Sequence, residues 1–144
     1  MSVQISHEQV CERLSSISQP LDNPDADIRD RDVRDAEGES IGQVVDLLVD
    51  PGTWHVRLME VRIGGVMGIA AKHHLVPIDV VRTVGDDHVE VSVPPEAVRE
   101  SPEYRRDFSP EDELDHYADL YSWYRVQPYW QDGYRYPPFP TMSS

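Results

Sequence analysis

Residues 30–93 constrain the fold most, because they form a series of short strand-like segments that turn residues separate and no helical segment interrupts. The last of these segments has the cleanest alternation: its valines face one way and its polar residues the other, as in a sheet with one wet face. The predicted strands are residues 31–34, 41–50, 54–63, 66–71, 75–81 and 88–93. Six such strands predict a mainly β fold, a small closed antiparallel barrel.

Two of these strands carry informative patterns. In the second, the alternation predicts one face made of Ile41, Gln43, Val45, Leu47 and Val49. In the third, Val56 and Leu58 are out of phase with Met59, Val61 and Ile63, which predicts a bulge near Leu58.

The segments on either side of the strands have helix signals. Ser6 and Gln9 have the spacing of a capping box and predict an N-terminal helix over residues 7–18. Ser109 as N-cap, followed by Pro110, predicts a C-terminal helix, and the proline-rich residues after it predict an extended aromatic tail. We therefore divide the chain into an N-terminal helix with acidic linker (1–27), a barrel domain (28–102) and a C-terminal helix with tail (103–144).

Charge and length exclude several classes of protein. The chain has 144 residues, which suits one domain, and 13 basic against 27 acidic residues give a net charge of −14. This charge repels nucleic-acid phosphates and anionic lipids, so neither is an expected partner. No apolar run is long enough for a membrane helix and no signal peptide is recognisable, which predicts a cytoplasmic protein without direct membrane insertion.

Chemistry-bearing residues are few. The single cysteine, Cys11, excludes an internal disulfide, and nucleotide-binding, hydrolase and zinc-protease motifs are absent. His73 and His74 are interpreted as a partly exposed loop pair; if they lie on a strand, their side chains point to opposite faces and cannot hold one ion together, although either could respond to pH. The sequence therefore predicts no catalytic, cofactor-binding or metal-ligating residues.

Glu60 interrupts the apolar residues of the third strand. Its carboxylate could be buried, or it could point outward toward Arg57 or Arg62. From the residues alone we favour the outward orientation.

The C-terminal part of the chain is rich in aromatic residues, which anchor many protein interfaces. Alternatively, these residues fold back over an open end of the barrel and complete the core, and an exchanged dimer would satisfy both interpretations. The candidate interface residues are Tyr117, Tyr121, Trp123, Tyr124, Tyr129, Trp130, Tyr134 and Tyr136.

Several segments in the predicted strands resemble the PRC-barrel family, a group named for the cytoplasmic barrel of the photosynthetic reaction-centre H subunit. They are Glu-Gly-Glu-Ser-Ile-Gly-Gln-Val-Val-Asp (37–46), Leu-Val-Asp (48–50), Val-Arg-Leu-Met-Glu-Val (56–61) and Leu-Val-Pro-Ile-Asp (75–79). The resemblance covers about 60 of the 144 residues. It implies a six-stranded barrel used as a docking module, and it places Glu60 where the H subunit has a carboxylate that helps to deliver protons.

Together these observations favour a non-enzymatic adaptor that binds protein partners and forms a homodimer. One alternative is an accessory subunit or assembly factor of a photosynthetic or other electron-transfer complex, peripheral to a membrane, with a proton-relay role for Glu60. A second alternative is a sensor of a small molecule or a metal.

Overall fold

The computed structural model describes residues 10–65, 68 and 70–141. The strands are β1 (Glu12–Arg13), β2 (Asp32–Arg34), β3 (Ser40–Val49), β4 (Val56–Ile63), β5 (Lys72–Pro77), β6 (Val81–Val84) and β7 (His88–Val91). The helices are α1 (Pro95–Arg99) and α2 (Pro110–Tyr124), and single 3-10 turns lie at Leu14–Ser16, Pro24–Ala26 and Ile78–Val80. In this part of the chain, neither α-helix has the length and apolarity that a membrane crossing requires.

Six strands form one curled sheet in the order β5-β4-β3-β2-β7-β6. The short β1 adds to the sheet by pairing with the end of β3, Glu12 opposite Val49 and Arg13 opposite Leu48. All described pairs are antiparallel except β2 with β7, which run parallel. The sheet is therefore mixed.

The prediction of a closed antiparallel barrel is wrong, because β5 and β6 remain the two edges of a half-barrel. A C-terminal segment occupies the outer edge of β5. There, His74 forms an isolated bridge with Glu103, and Tyr104 N–H donates to the His73 carbonyl at 2.8 Å. Because the C-terminal segment is hydrogen-bonded to this part of the edge, the edge is not free there to pair with β6 and close the sheet.

The predicted N-terminal helix is also wrong where the structure describes it, whereas residues 7–9 lie outside the described residues. From Val10 onward the chain forms β1 and then the turn Leu14–Ser16. Cys11 and Leu14 are buried in the core, and Ser15 donates both its N–H and its hydroxyl to Asp46. These tertiary contacts outweigh the local helix preference of a narrow apolar stripe.

The middle strands begin and end at other residues than the turn pattern predicted. Residues 66, 67 and 69 of the predicted fourth strand lie outside the described residues, and Gly68, Ala70 and Ala71 are not in a strand. The next strand, β5, starts at Lys72 and ends at Pro77, where a 3-10 turn leads into β6. The predicted strand 75–81 therefore covers the end of β5, the 3-10 turn and the first residue of β6.

Register shifts between β3 and β4 reorganise both strands. Leu48 lies opposite Leu58 but Val49 lies opposite Val56, which confirms the bulge predicted near Leu58. A second shift between Val44 and Asp46 changes the phase of β3. The predicted face of β3 is therefore wrong in part, since Val44 is fully buried and Val45 is only partly buried.

The C-terminal segment covers the sheet. Ser109 caps α2 as predicted, its hydroxyl accepting from Asp112 N–H at 3.1 Å, and α2 ends before Arg125, which adopts a left-handed conformation with φ of 57°. Beyond α2, the hydroxyl of Tyr136 donates to the Val56 carbonyl at 3.0 Å. Residues 56–61 of β4 are all buried, because the sheet core covers one face and the C-terminal segment the other.

Candidate functional site

Two buried carboxylates lie where β3 and β4 pair, and we name them and their partners the carboxylate cluster: Asp46, Glu60, His73, Arg106 and Ser15. Asp46 and Glu60 lie opposite each other in the strand pair, and both are fully buried. Two carboxylates are costly to bury side by side unless cations and hydrogen bonds compensate them. Their partners therefore decide what the cluster can do.

Glu60 is held from two directions. The Arg106 guanidinium donates from Nε and Nη2 to the carboxylate at 3.0–3.2 Å, a forked arrangement that suits a carboxylate. His73 Nδ1 hydrogen-bonds to Oε2 of the same group. Because the His73 side chain is about one-third exposed, Glu60 has an imidazole partner that reaches solvent.

Asp46 is satisfied mainly by backbone and hydroxyl donors. Its carboxylate accepts from Ser15 N at 3.2 Å, from Ser15 Oγ at 2.5 Å and from Leu47 N at 2.9 Å. Arg106 Nη2 lies 3.6 Å from Asp46 Oδ2. A single arginine therefore faces both buried carboxylates, and its own carbonyl is fixed by Arg13 Nη2 at 3.0 Å.

The outward orientation favoured for Glu60 is wrong. Neither arginine proposed as its partner contacts it, since Arg57 pairs with Asp50 and Arg62 donates to Gln43 Oε1 at 2.7 Å. The reason is the C-terminal segment, which covers the face of β4 that strand alternation alone would leave in water. Arg106 belongs to that segment.

A second buried ion pair lies at the other end of β4, and we name it the arginine cage: Arg57, Asp50, Tyr129, Tyr134 and Tyr136. Arg57 donates from Nε and Nη2 to Asp50 Oδ2 at 3.2 and 3.0 Å. Its guanidinium carbon lies 4.7 Å from the centroid of the Tyr129 ring and 5.5 Å from those of the other two tyrosines. Cation–π attraction to these rings fixes the tail on the sheet.

Two polar atoms near the cage have no hydrogen-bond partner among the described residues, Arg57 Nη1 and Asp79 Oδ1. The other oxygen of Asp79 accepts from the Tyr134 hydroxyl at 2.7 Å. Burial raises the pKa of Asp79, while the Tyr134 hydrogen bond lowers it. No described contact joins these two atoms.

The two predicted histidines lie on β5 and not in a loop, on opposite faces of the strand as alternation requires. His73 contacts Glu60, whereas His74 is buried and its Nδ1 hydrogen-bonds to Ser101 Oγ at 3.0 Å. Burial lowers the pKa of His74. In the parts of the chain that the structure describes, no group of three or more His, Cys, Asp or Glu side chains is arranged to hold a metal ion.

A third histidine, His116, lies on the buried face of α2. It was not singled out from the sequence. It is buried, its ring centroid lies 5.1 Å from that of Phe108 and 5.6 Å from that of Tyr104, and its Nε2 has no described partner. Burial lowers its pKa, and the nearby Asp119 partly opposes this effect. His116 is therefore stabilised in its neutral form.

Cys11 is buried beside two tyrosine hydroxyls. Its N–H donates to Tyr117 Oη at 3.3 Å, and its sulfur lies 3.6 Å from Tyr129 Oη. Burial raises the pKa of the thiol to about 12, so at neutral pH it is protonated and a poor nucleophile.

The predicted interface residues differ in how exposed they are. Tyr117, Tyr121, Tyr124 and Tyr129 are buried within the chain, which is the arrangement expected if the tail completes the core. The tail residues Trp130, Tyr134 and Tyr136 are half-buried, and Trp123 is 45% exposed. Only the last of these presents a large apolar surface to solvent.

Sequence reasoning identified Glu60 and His73 but not their contact, and it missed Asp46 and Arg106. Asp46 carried the same signal, a carboxylate inside an apolar strand, and could have been found by it. Arg106 carried no signal, because it is one of several charges in a polar segment and is 46 residues from Glu60. The arginine cage likewise depends on tail residues that pack on Arg57 only in three dimensions.

The curled sheet agrees with what a comparison to known protein families finds. The family model of the PRC-barrel domain matches residues 23–98, more than half of the chain. The chain therefore belongs to the PRC-barrel family. A search of curated proteins finds no match to it.

Proposed function

We propose that this protein is a non-enzymatic adaptor, a PRC-barrel module that brings protein partners together. The observation that carries the proposal is that the sheet already holds a polypeptide segment, its own residues 103–141, through Arg106 on Glu60 and tyrosines around Arg57. A sheet that binds a chain segment with forked ion pairs and aromatic rings has the chemistry of a protein-binding surface.

The reactive groups of the chain support a role without catalysis. The Cys11 thiol is protonated and buried, His74 is engaged by Ser101, and Glu60 is held by Arg106 and His73. A nucleophile needs an exposed, activated group beside a base, and these groups satisfy one another instead. They are better suited to fixing the C-terminal segment than to turning over a substrate.

Reconstitution from purified components tests the adaptor function. The tagged chain is recovered from its native cells, the protein that copurifies is produced separately, and the two are titrated by calorimetry. We expect saturable binding at a fixed stoichiometry. An unrelated protein of similar size and net charge controls for electrostatic capture. A chain that binds no protein of its own cell, or that turns over a substrate, contradicts the proposal.

A second candidate is an accessory role in a membrane-bound electron-transfer complex, with Glu60 and His73 in a proton path. It is favoured by one observation: a fully buried carboxylate hydrogen-bonds to an imidazole that reaches solvent. Copurification with a pigmented or redox-active membrane fraction, and slower proton uptake in Glu60→Gln than in Glu60→Asp, would support this role. Unchanged uptake in Glu60→Gln would exclude it.

A further inference from the structure

We propose that the outer face of α2 around Trp123 binds a basic segment of a protein partner, with an arginine or lysine side chain stacked on the indole. This inference rests on the proposed adaptor function and names a docking surface for it. The surface, which we call the Trp123 groove, is a groove of about 600 Å³. It is lined by Ala97, Pro102, Asp119, Ser122, Trp123 and Arg125.

The indole is exposed yet held in one orientation. Trp123 Nε1 donates to the Ala97 carbonyl at 2.8 Å, which ties the side chain to α1. Among the described residues it is the single large hydrophobic side chain that is exposed, and 45% of its surface is accessible. A fixed aromatic ring with an open side loses little conformational entropy when a partner stacks on it.

The charges beside the indole select a cation. Asp119 and Asp115 lie about one and two helical turns before Trp123 on α2, so their side chains follow the same face, and both are exposed. Within the described residues, neither forms an ion pair with arginine or lysine. A guanidinium or ammonium group above the indole would gain cation–π attraction and reach Asp119 at once.

Arg125 sets the direction of binding. It lines the groove two residues beyond Trp123, whereas Asp119 lies four residues before it. An incoming cation is therefore repelled at the C-terminal side of the indole and attracted at the N-terminal side. We expect the basic segment to run along Asp115 and Asp119 toward Trp123.

The same charges argue against a second copy of this chain as the occupant. Two copies meeting through this face of α2 would bring the exposed Asp115 and Asp119 carboxylates of both chains close together. Like charges brought together in this way disfavour association. A basic partner has the complementary charge.

NMR titration of the intact protein tests the proposal. The probe is the blocked peptide Ala-Arg-Ala-Ala-Ala-Arg-Ala, and its control is the same peptide with glutamate in place of arginine. We expect a saturable shift of the Trp123 indole N–H signal with the arginine peptide alone. The backbone amide shifts of residues 119–125 give the affinity of variants that lack the indole, and by this measure Trp123→Ala and Asp119→Asn should each weaken binding by about threefold to fivefold, the size of a cation–π or exposed ion-pair contribution.

Matched variants separate the groove from general electrostatics. Asp132→Asn removes an exposed carboxylate outside the groove lining and should leave the affinity within about twofold of the wild type. Trp123→Phe keeps an aromatic ring without the indole N–H and should bind better than Trp123→Ala. Unchanged amide spectra away from the groove confirm that the variants fold.

Three results would overturn the proposal. The first is that Asp132→Asn and Asp119→Asn weaken peptide binding equally, and the second is that no saturable shift of the Trp123 signal occurs up to several millimolar peptide. The third is a shift of the Trp123 signal that depends on protein concentration without peptide, which would indicate self-association. A native partner that binds Trp123→Ala as tightly as it binds the wild type would contradict the proposed role of the Trp123 groove. It would not contradict the adaptor function. The adaptor function fails separately if no protein of the cell binds the chain.

Discussion

Arg106 and Glu60 form a forked ion pair across 46 residues of sequence: Arg106 Nε lies 3.0 Å from Glu60 Oε2, and Nη2 lies 3.1 Å from Oε1. Glu60 is fully buried on β4, whereas the Arg106 side chain is about half exposed. The pair thus joins the segment before α2 to the middle of the sheet. The contribution of this pair to the free energy of unfolding depends on the cost of leaving the buried Glu60 carboxylate unpaired when Arg106 is removed.

Arg106→Ala should destabilise the protein by about 1–3 kcal/mol, less than the loss from a fully buried pair because Arg106 is partly solvated. The cause is the desolvated Glu60 charge that remains. Urea unfolding followed by far-UV circular dichroism measures the loss. Adding Glu60→Gln to Arg106→Ala should recover part of it, since the orphaned charge is then absent.

The control for this prediction is Arg105→Ala, one residue away, where an exposed arginine faces exposed Asp107 at 3.6 Å. We expect a change within about 0.5 kcal/mol. Equal losses from Arg105→Ala and Arg106→Ala would show that the forked pair contributes nothing special to stability.

Tyr117→Phe should cost about 1–2 kcal/mol, because the Tyr117 hydroxyl donates to buried Glu113 Oε2 at 2.7 Å and accepts from Cys11 N–H at 3.3 Å. Tyr121→Phe is the matched control on the same helix face, since its hydroxyl has one long contact of 3.5 Å to the Arg57 carbonyl. Chemical unfolding of both variants should rank Tyr117→Phe as the less stable. The reverse order would contradict the role given to Glu113.

Stability should fall as the pH drops below about 6.5, the pKa of histidine in an unfolded chain. Burial lowers the folded-state pKa of His74 and His116, so the unfolded state binds more protons and gains on acidification. Stability continues to fall until the pH is below the folded-state pKa values of these histidines. Glu113 and Asp79, whose pKa values are raised by burial, act in the opposite direction closer to pH 4.

The variant His116→Leu isolates one contribution, because it keeps an apolar contact with Phe108 and Tyr104 and removes one of the three histidines whose pKa burial lowers, the others being His55 and His74. The urea midpoint of this variant should fall less between pH 7 and pH 5.5 than that of the wild type. Around His116, the facing groups are Asp119, which favours protonation, and His74, which opposes it. Parallel pH profiles for variant and wild type would exclude His116 as a contributor.

Cys11 should react with a thiol reagent such as Ellman's reagent only when the protein unfolds. Burial raises its pKa to about 12, and its sulfur lies against the Tyr129 hydroxyl. We expect slow labelling at pH 8 in buffer and complete labelling in urea. Fast labelling of the native protein would mean that the N-terminal segment leaves the core readily.

Self-association stays a prediction from the density of tyrosine and tryptophan in the C-terminal part of the chain. Light scattering should give twice the 16.5 kDa mass of one chain. Because most of these aromatic residues are buried within the chain, a dimer would need either exchange of the segment after residue 108 or a surface outside the aromatic core. A mass of 16.5 kDa across a range of concentrations would contradict the prediction.

Deletion of residues 109–144 tests whether the core or an interface depends on this segment. In the monomer this deletion exposes the face of β4 that α2 and the tail cover, so we expect loss of stability whether or not the chain dimerises. A truncated chain with unchanged mass and stability would show that neither the core nor an interface depends on the segment.

The sequence by itself determined the β-rich centre, the bulge near Leu58, the cap of α2 at Ser109 and the family. Each of these follows from local patterns, alternation, turn residues and caps, which act over a few residues. The tertiary structure decided what lies against β4, namely Arg106 on Glu60 and three tyrosines around Arg57, and it placed β1 beside β3 where a helix was predicted. A strand is buried on both faces because segments far apart in sequence pack against it. The alternation of residues along that strand alone does not predict this packing.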